Sequence, residues 1–272
     1  MSGWLSRPAS DTQVTHGRRL WLYAVGALVM LFLVIPSLIV IPMSFSDSQY
    51  LSFPPPAWSL RWYANYFGSL EWMQATWTSL KAGVLTTLVA TPLGTLAAYG
   101  LQASRTRWGG LAMLVLMTPI MMPLILVGIG VFNVYVQFGL LNTLAGVVIA
   151  HSMLAVPLVV LVVASGLKSY DMNQEMAARS LGASRPRAFL LVTLPQIRFS
   201  VVTAALLAFL TSFDEVIVAL FVSGGQNSTL TRNMFLALRD QMDPTIAAIS
   251  TVMIVVTSLL LALSQLFGRS DR

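Results

Sequence analysis

Long apolar runs without charged residues constrain this chain more than any other feature of its sequence. An apolar helix needs about 20 residues to cross a hydrocarbon core about 30 Å thick, and five windows without Asp, Glu, Lys or Arg reach or approach that length. Only 10% of the residues are charged, whereas about a quarter are charged in soluble domains. The sequence therefore predicts an all-α membrane protein. The windows are 21–46, 82–104, 108–167, 199–213 and 244–268.

The window 108–167 is too long for one membrane span at about 1.5 Å of helical rise per residue. The polar, Gly-containing stretch 137–143 (QFGLLNT) supplies a turn, so this window holds two spans. The run that starts at Phe199 continues through Asp214 and Glu215 to about Val222. Six transmembrane helices result, at about 20–44, 80–103, 111–136, 144–167, 199–222 and 246–267.

Basic residues set the orientation of these spans. In the six-span layout, twelve of the sixteen Lys and Arg residues lie on the side that holds the N-terminus. Because cytoplasmic loops carry an excess of Lys and Arg, both termini are expected in the cytoplasm, with 1–19 as an N-terminal tail and 20–267 as the membrane domain. The net charge of +6 flanks the spans and does not indicate nucleic-acid binding. The twelve residues are Arg7, Arg18, Arg19, Arg105, Arg107, Lys168, Arg179, Arg185, Arg187, Arg198, Arg269 and Arg272.

An external segment, 46–81, is rich in proline and aromatic residues. Three consecutive prolines, 54–56, exclude a helix there, after which Ser59 is placed to cap a short helix. Four of the seven tryptophans lie between Trp58 and Trp77. Since Trp and Tyr favour the headgroup layer, the segment is interpreted as an interfacial aromatic belt, or as a docking surface for an external partner, and both interpretations can hold together.

The largest cytoplasmic loop, 171–195, has the pattern of two short helices joined by a turn. Asp171 followed by Gln174 is typical of a helix start, and Gly182 of a helix end. The first helix is predicted from about 172 to 181. Ser184 then caps a second helix, with Pro186 in its first turn, where a missing N–H does no harm. An amphipathic hairpin resting on the lipid surface fits this spacing as well as a docking element does.

The spacing of Ala177, Ala178, Gly182 and the Leu-Pro pair that ends at Pro195 resembles the EAA loop of binding-protein-dependent ABC importer permeases. The resemblance implies the ABC type I importer permease fold, with 171–195 as the coupling loop. Its first helix then docks on a cytoplasmic ATPase and passes the closure of the ATPase to the spans. The residues expected in ATPase coupling are Glu175, Met176, Ala177, Ala178, Leu181, Gly182 and Pro195.

One residue departs from the family pattern. Met176 occupies the position of the family glutamate, and Glu175 lies one residue earlier, about 100° around the helix. Either Glu175 substitutes from this shifted angle, or the ion pair with the ATPase is absent and docking rests on Ala177, Ala178, Leu181 and Gly182.

Two adjacent carboxylates, Asp214 and Glu215, interrupt the fifth apolar run. Each costs about 2.5–3.5 kcal/mol as a charged group at the centre of a membrane helix. Charged residues kept inside a span at this cost are typical of functional sites. Asp214 is the better candidate to face a translocation path and contact a cation. Alternatively, the pair bonds Arg232, Arg239 or helix ends and fixes packing. The candidate path residues are Asp214, Glu215, Asn133 and Tyr135.

The stretch SFDEVIVALFVSG, followed by LTRNMFLALRD, is similar to the spermidine and putrescine branch of these permeases. The resemblance implies an importer subunit that forms half of a translocation path for polyamines or a related small organic amine. Opines, aminoalkylphosphonates and iron complexes are alternative solutes. An ion-coupled secondary carrier is a further alternative, because buried carboxylates can carry protons.

The energy source is expected in another protein. The sequence has no G-x-x-x-x-G-K-[ST] loop, and its longest cytoplasmic stretch is too short for a nucleotide-binding domain. We therefore expect no catalytic residue, cofactor or metal in this chain, with ATP and Mg bound by an ATPase partner. The resemblance implies a heterodimer with a second permease, two copies of the ATPase, an external or periplasmic binding protein, and a multi-pass location in the bacterial cytoplasmic (inner) membrane.

Overall fold

The structure is a computed structural model that describes residues 14–104, 107–240 and 242–268, with side chains as far as 259. Most of the expected N-terminal tail, together with Arg105, Arg269 and Arg272 of the orientation argument, lies outside the described residues. The described residues form helices and no β-strand. The α-helices are α1 (Leu20–Ser44), α2 (Arg61–Gly68), α3 (Leu70–Ser104), α4 (Gly109–Met121), α5 (Leu124–Phe138), α6 (Leu144–Ser169), α7 (Asn173–Ser180), α8 (Arg185–Ala188), α9 (Leu194–Gln196), α10 (Arg198–Phe213), α11 (Ile217–Val222), α12 (Leu230–Asp240) and α13 (Thr245–Gly268).

Three of the described helices are long and apolar enough to cross a membrane, and five segments are if each bent helix pair counts as one span. The three are those that include α1, α3 and α6. α1 has the bounds expected from the sequence, whereas α3 begins ten residues before the expected start of its span at residue 80.

The third expected span, 111–136, is not one helix. α4 and α5 are bent by 97° at a short break. Met122 in this break is extended, with ψ 143°, because the ring of a following proline, here Pro123, disfavours the helical conformation. The prediction of one continuous helix at 111–136 is therefore wrong.

The fifth expected span, 199–222, is also interrupted. α10 ends at Phe213, and α11 begins at Ile217. A second bend, of 81°, separates α10 from the helical segment Arg185–Gln196. The acidic residues Asp214 and Glu215 thus lie in a helix break and not inside a continuous helix.

Among the described residues, one compact unit comprises 14–66 together with 242–268. α1 packs along α13. The Tyr63 hydroxyl lies 2.7 Å from Ser44 Oγ, and Ser59 Oγ accepts a hydrogen bond of 3.1 Å from the Arg61 N–H. The cap predicted at Ser59 is therefore confirmed.

The second compact unit comprises the described residues within 67–240 and holds the core formed by α3, α6 and α10. Small residues permit close packing of these helices. At Gly94, a Cβ atom would lie 2.6 Å from Val159 Cγ1, so only glycine fits this crossing of α3 and α6. The buried residues of this core are Ala90, Ala98, Tyr99, Ala155, Val159, Val160, Val163, Leu167, Phe189, Ile197, Ala204 and Ala208.

Candidate functional site

The loop 171–195 forms the helix, turn and helix that its sequence predicts. Asp171 Oδ1 accepts a 2.9 Å hydrogen bond from the Asn173 N–H at the start of α7. After α7, Gly182 has φ +93°, a conformation that favours glycine. Ser184 occupies the N-cap position of α8, but its side chain makes no capping hydrogen bond. Pro186 lies in the first turn of α8 as expected.

The second helix of the loop is less regular than expected. Between α8 and α9 the chain forms a π-helical segment, Phe189–Thr193. Such wide turns occur frequently at functional sites. Phe189 and Thr193 at its two ends are both buried. The segment therefore directs the Thr193 side chain into the interior beneath α7.

The outer face of the loop exposes several uncharged side chains. Met176 is 51% exposed and Leu181 is 90% exposed. Ala177, Gly182 and Pro195 are also exposed, and Ala178 is half-buried. A shallow depression of about 500 Å³ lies beside Met176 and is lined by Met176, Arg179, Ser180, Ala183, Ser184 and Arg185.

Glu175 points away from this exposed face. Its side chain is buried, with the residue 3% exposed. The Tyr99 hydroxyl donates to Glu175 Oε1 at 2.6 Å, and the Thr193 hydroxyl donates to Oε2 at 2.7 Å. The Glu175 carboxylate therefore does not lie on the exposed surface that includes Met176. Tyr99 and Thr193 could not be found from sequence, because neither residue lies near Glu175 in a helical repeat.

Aromatic and cationic groups surround this carboxylate. The rings of Tyr99 and Phe189 have centroids 4.5 Å apart. The Arg185 guanidinium carbon lies 5.8 Å from the centre of the Tyr99 ring, and Arg185 Nε lies 3.5 Å from the Tyr99 hydroxyl. A positive charge thus lies close to the buried carboxylate without a direct ion pair.

Glu215 caps α11. Its carboxylate accepts hydrogen bonds from the N–H groups of Val218, at 3.0 Å, and Ala219, at 2.8 Å. These are donors that the first turn of a helix leaves without partners. The Thr231 hydroxyl of α12 donates to the Glu215 carbonyl oxygen at 2.8 Å. The sequence permits two interpretations of Glu215, a place in the translocation path or a bond that fixes packing. The geometry agrees with the second, as a bond to a helix end.

A buried polar chain runs from this cap into the core. His151 Nε2 lies 3.8 Å from Glu215 Oε2. His151 Nδ1 and Ser212 Oγ are joined by a hydrogen bond of 2.8 Å, and the Ser212 hydroxyl donates to Thr86 Oγ1 at 3.3 Å. The sequence shows no carboxylate near His151, and only the fold brings Glu215 to it.

The other candidate path residues differ in exposure. Asp214 is exposed at the end of α10, next to buried Glu215. Asn133 is exposed on α5, and its amide donates to the Ile129 carbonyl oxygen. Tyr135 is buried, and its hydroxyl donates to the Gly146 carbonyl oxygen at 2.9 Å. Among the hydrogen bonds of the described residues, none joins Asn133 or Tyr135 to either carboxylate.

Arg232 and Arg239 are not the partners of the two carboxylates within the described part of the chain. Arg232 donates to Ser228 Oγ at 3.0 Å, and Arg239 pairs with Asp240 at 2.8 Å. Arg232 instead faces a polar recess of about 230 Å³. The recess is lined by Glu71, Gln74, Ala75, Gly225, Gln226, Ser228, Arg232 and Asn233.

The fold of this chain is similar to that of a solved structure described as "Crystal structure of a bacterial ABC transporter involved in the import of the acidic polysaccharide alginate", with a TM-score of 0.67. The match covers 95% of this chain and 99% of that chain at 13% identity. Residues 90–270 match the family "Binding-protein-dependent transport system inner membrane component", and this chain belongs to that family.

Two similar proteins of this family align with most of the chain. The "Spermidine/putrescine transport system permease protein PotC" of Haemophilus influenzae is 30% identical over 244 residues, which cover 89% of this chain and 94% of that protein. The "Putrescine transport system permease protein PotI" of Escherichia coli strain K12 is 29% identical over 245 residues, covering 86% and 85%. Both relatives are named as permease proteins of transport systems. This chain is accordingly a permease subunit of an ABC importer.

Proposed function

We propose that this permease subunit imports polyamines or a related small organic amine and forms half of the translocation path. The observation that carries the proposal is the match, over most of the chain, to permeases whose names specify spermidine and putrescine.

The exposed carboxylate of Asp214 suits a cationic cargo. An ammonium group about 4 Å from a carboxylate is attracted by about 1 kcal/mol in water and by more in a partly apolar channel. Asn133 is the second path residue with an exposed polar side chain. Glu215 and Tyr135 support the path from behind, since both side chains already bond backbone groups.

We place the chain in the bacterial cytoplasmic membrane with six spans and both termini in the cytoplasm. The positive-inside distribution supports this orientation. Counting each bent pair as one span gives five, and α13, an apolar helix of 24 residues, supplies the sixth.

The partners are a second permease chain, two copies of an ATPase that bind ATP and Mg, and an external substrate-binding protein. We assign contact with the ATPase to the exposed face of α7 and its turn, formed by Met176, Ala177, Ala178, Leu181 and Gly182. Pro195 ends the same loop. The exposure of Met176 and Leu181 supports this assignment.

The test is uptake by proteoliposomes that contain the complex purified through a tag on this chain. Labelled putrescine and spermidine should accumulate only with hydrolysable ATP on the ATPase side and binding protein on the other. Uptake with a non-hydrolysable ATP analogue and an ion gradient would instead indicate a secondary carrier. Labelled trehalose is the control solute, and its uptake in place of the amines would contradict the substrate assignment.

A further inference from the structure

We propose that Glu175 is a positioning residue that fastens the coupling helix α7 to the membrane helix α3 and to the π-helical segment, so that movement of α7 also moves α3. The proposal rests on the proposed contact of α7 with an ATPase. It concerns a step that this contact alone does not provide, the transfer of the movement into the membrane.

Helix α7 has a polar composition and little buried surface. Of the eight residues of this helix, all of them described, only Glu175 is buried. A helix usually packs against its neighbours through an apolar stripe, but most residues of α7 (NQEMAARS) are polar or small. The inward attachment of α7 therefore depends on a carboxylate, and its position depends on the groups that bond this carboxylate.

Those groups come from two different elements. Tyr99 lies near the end of α3, 76 residues before Glu175, and Thr193 ends the π-helical segment 18 residues after it. Each hydroxyl bonds a different oxygen of the carboxylate, so the Glu175 cluster (Glu175, Tyr99 and Thr193) joins three elements at one point. Hydrogen bonds to a charged acceptor are shorter and stronger than neutral ones, in agreement with the 2.6 and 2.7 Å distances.

The cluster is also the main direct connection between α7 and α3. α7 packs principally on α8 and on the π-helical segment, and its backbone has little contact with α3. The ring of Tyr99 is fixed in turn by Phe189 of the π-helical segment. The bond between Glu175 and Tyr99 therefore provides the direct route by which a displacement of α7 reaches α3.

This role is different from docking. Met176, the residue at the position of the family glutamate, is 51% exposed, whereas Glu175 is 3% exposed. The two neighbours divide the tasks, because Met176 belongs to the surface that faces a partner and Glu175 to the interior attachment. Removing the carboxylate should leave the surface for the ATPase in place and loosen its connection to the membrane.

The absence of cysteine from the sequence permits a direct measurement. Spin labels on Gln174→Cys in α7 and Gln102→Cys in α3, both exposed positions, report the distance between the two helices in the purified complex. We expect a narrow distance distribution that keeps its width when ATP is bound. In Glu175→Gln and Tyr99→Phe we expect a distribution at least twofold broader.

The functional readout is the amount of putrescine transported per ATP hydrolysed in proteoliposomes. Glu175→Gln and Tyr99→Phe should lower this ratio at least fivefold, while the amount of ATPase that co-purifies stays the same. Tyr63→Phe is the matched control, because it removes a tyrosine hydroxyl that bonds Ser44 far from the loop in sequence. It should change neither readout.

The outcomes separate the two proposals. A distance distribution that stays narrow in both variants, or an unchanged ratio of transport to hydrolysis, overturns the positioning role. A loss of co-purifying ATPase with an unchanged ratio in the remaining complex also overturns it, because Glu175 would then act in docking. The proposed function fails separately if no ATPase co-purifies with the wild-type chain.

Discussion

Glu175 and Glu215 are both buried carboxylates, and they are held in different ways. Glu175 receives hydrogen bonds from side chains of two other elements, whereas Glu215 receives them from the backbone of the helix that follows it. The first arrangement fixes the relative position of three elements, and the second fixes the boundary of one helix. We therefore expect changes in the coupling loop to separate hydrolysis from transport, and changes at the helix break to alter stability.

The largest effect is expected at the turn of the coupling loop. Gly182→Asp introduces a side chain at φ +93° and a negative charge on the surface assigned to the ATPase. ATP-driven putrescine uptake should fall below a tenth of the wild-type rate, while insertion into the membrane, measured by the amount of protein in washed membranes, stays normal.

Gly139→Asp is a matched control for this variant. Gly139 also has a positive φ, +65°, and open space around its Cβ position, but it lies between α5 and α6. Normal uptake by Gly182→Asp, or an equal loss in Gly139→Asp, would contradict the assignment of Gly182 to coupling.

The next effect tests the helix break directly. In Glu215→Gln, the amide oxygen can accept one of the two N–H bonds, and the amide NH₂ opposes the other donor. Loss of a hydrogen bond to a charged group costs about 1.5–3 kcal/mol, and we expect the free energy of unfolding to fall by that amount. An SDS titration of the purified chain in mixed micelles measures it.

Glu71→Gln provides the comparison for Glu215→Gln, because Glu71 is exposed. A surface substitution of this kind should change the free energy of unfolding by less than about 0.5 kcal/mol. Equal stability of the two variants would show that the carboxylate of Glu215 does not hold α11, and would remove the contrast with Glu175.

A smaller and more selective effect is expected at Asp214. Asp214→Asn removes an exposed charge next to the buried cap and should leave stability unchanged. Loss of about 1 kcal/mol of attraction for an ammonium group corresponds to about a fivefold lower uptake at low putrescine concentration. Initial rates below half-saturation measure this change.

The control for Asp214→Asn is Asp240→Asn, which removes another exposed carboxylate, one that pairs with Arg239. It should leave uptake unchanged. Unaltered putrescine and spermidine uptake in Asp214→Asn would exclude Asp214 from the path and leave the fifth-span carboxylates with a structural role alone.

These contrasts also explain which features the sequence could predict. The helix bounds of α1, the cap at Ser59 and the left-handed Gly182 depend on neighbouring residues and were predictable from local patterns. The break at Met122 had a local signal too, the following Pro123, but the apolar run around it favoured a continuous span.

The contacts of the two glutamates lie beyond local patterns. Glu175 and Tyr99 are 76 residues apart, and His151 reaches Glu215 only because α6 and the helix break lie side by side in the fold. The sequence identified both acidic positions as unusual, because carboxylates are costly inside an apolar chain. It could not distinguish a carboxylate that caps its own helix from one that joins separate elements.

The smallest effect concerns the connection from the helix break to α12. Thr231 is 8% exposed and its hydroxyl donates to the Glu215 carbonyl oxygen, so Thr231→Val should lower the free energy of unfolding by about 1 kcal/mol. Thr251→Val is a matched control, because the Thr251 hydroxyl bonds a carbonyl of its own helix that has a backbone partner. Identical SDS titration curves for the two variants would mean that α12 does not stabilise the break. In that case the cap on α11 is held by the Glu215 carboxylate alone, and the contrast between the two glutamates becomes sharper.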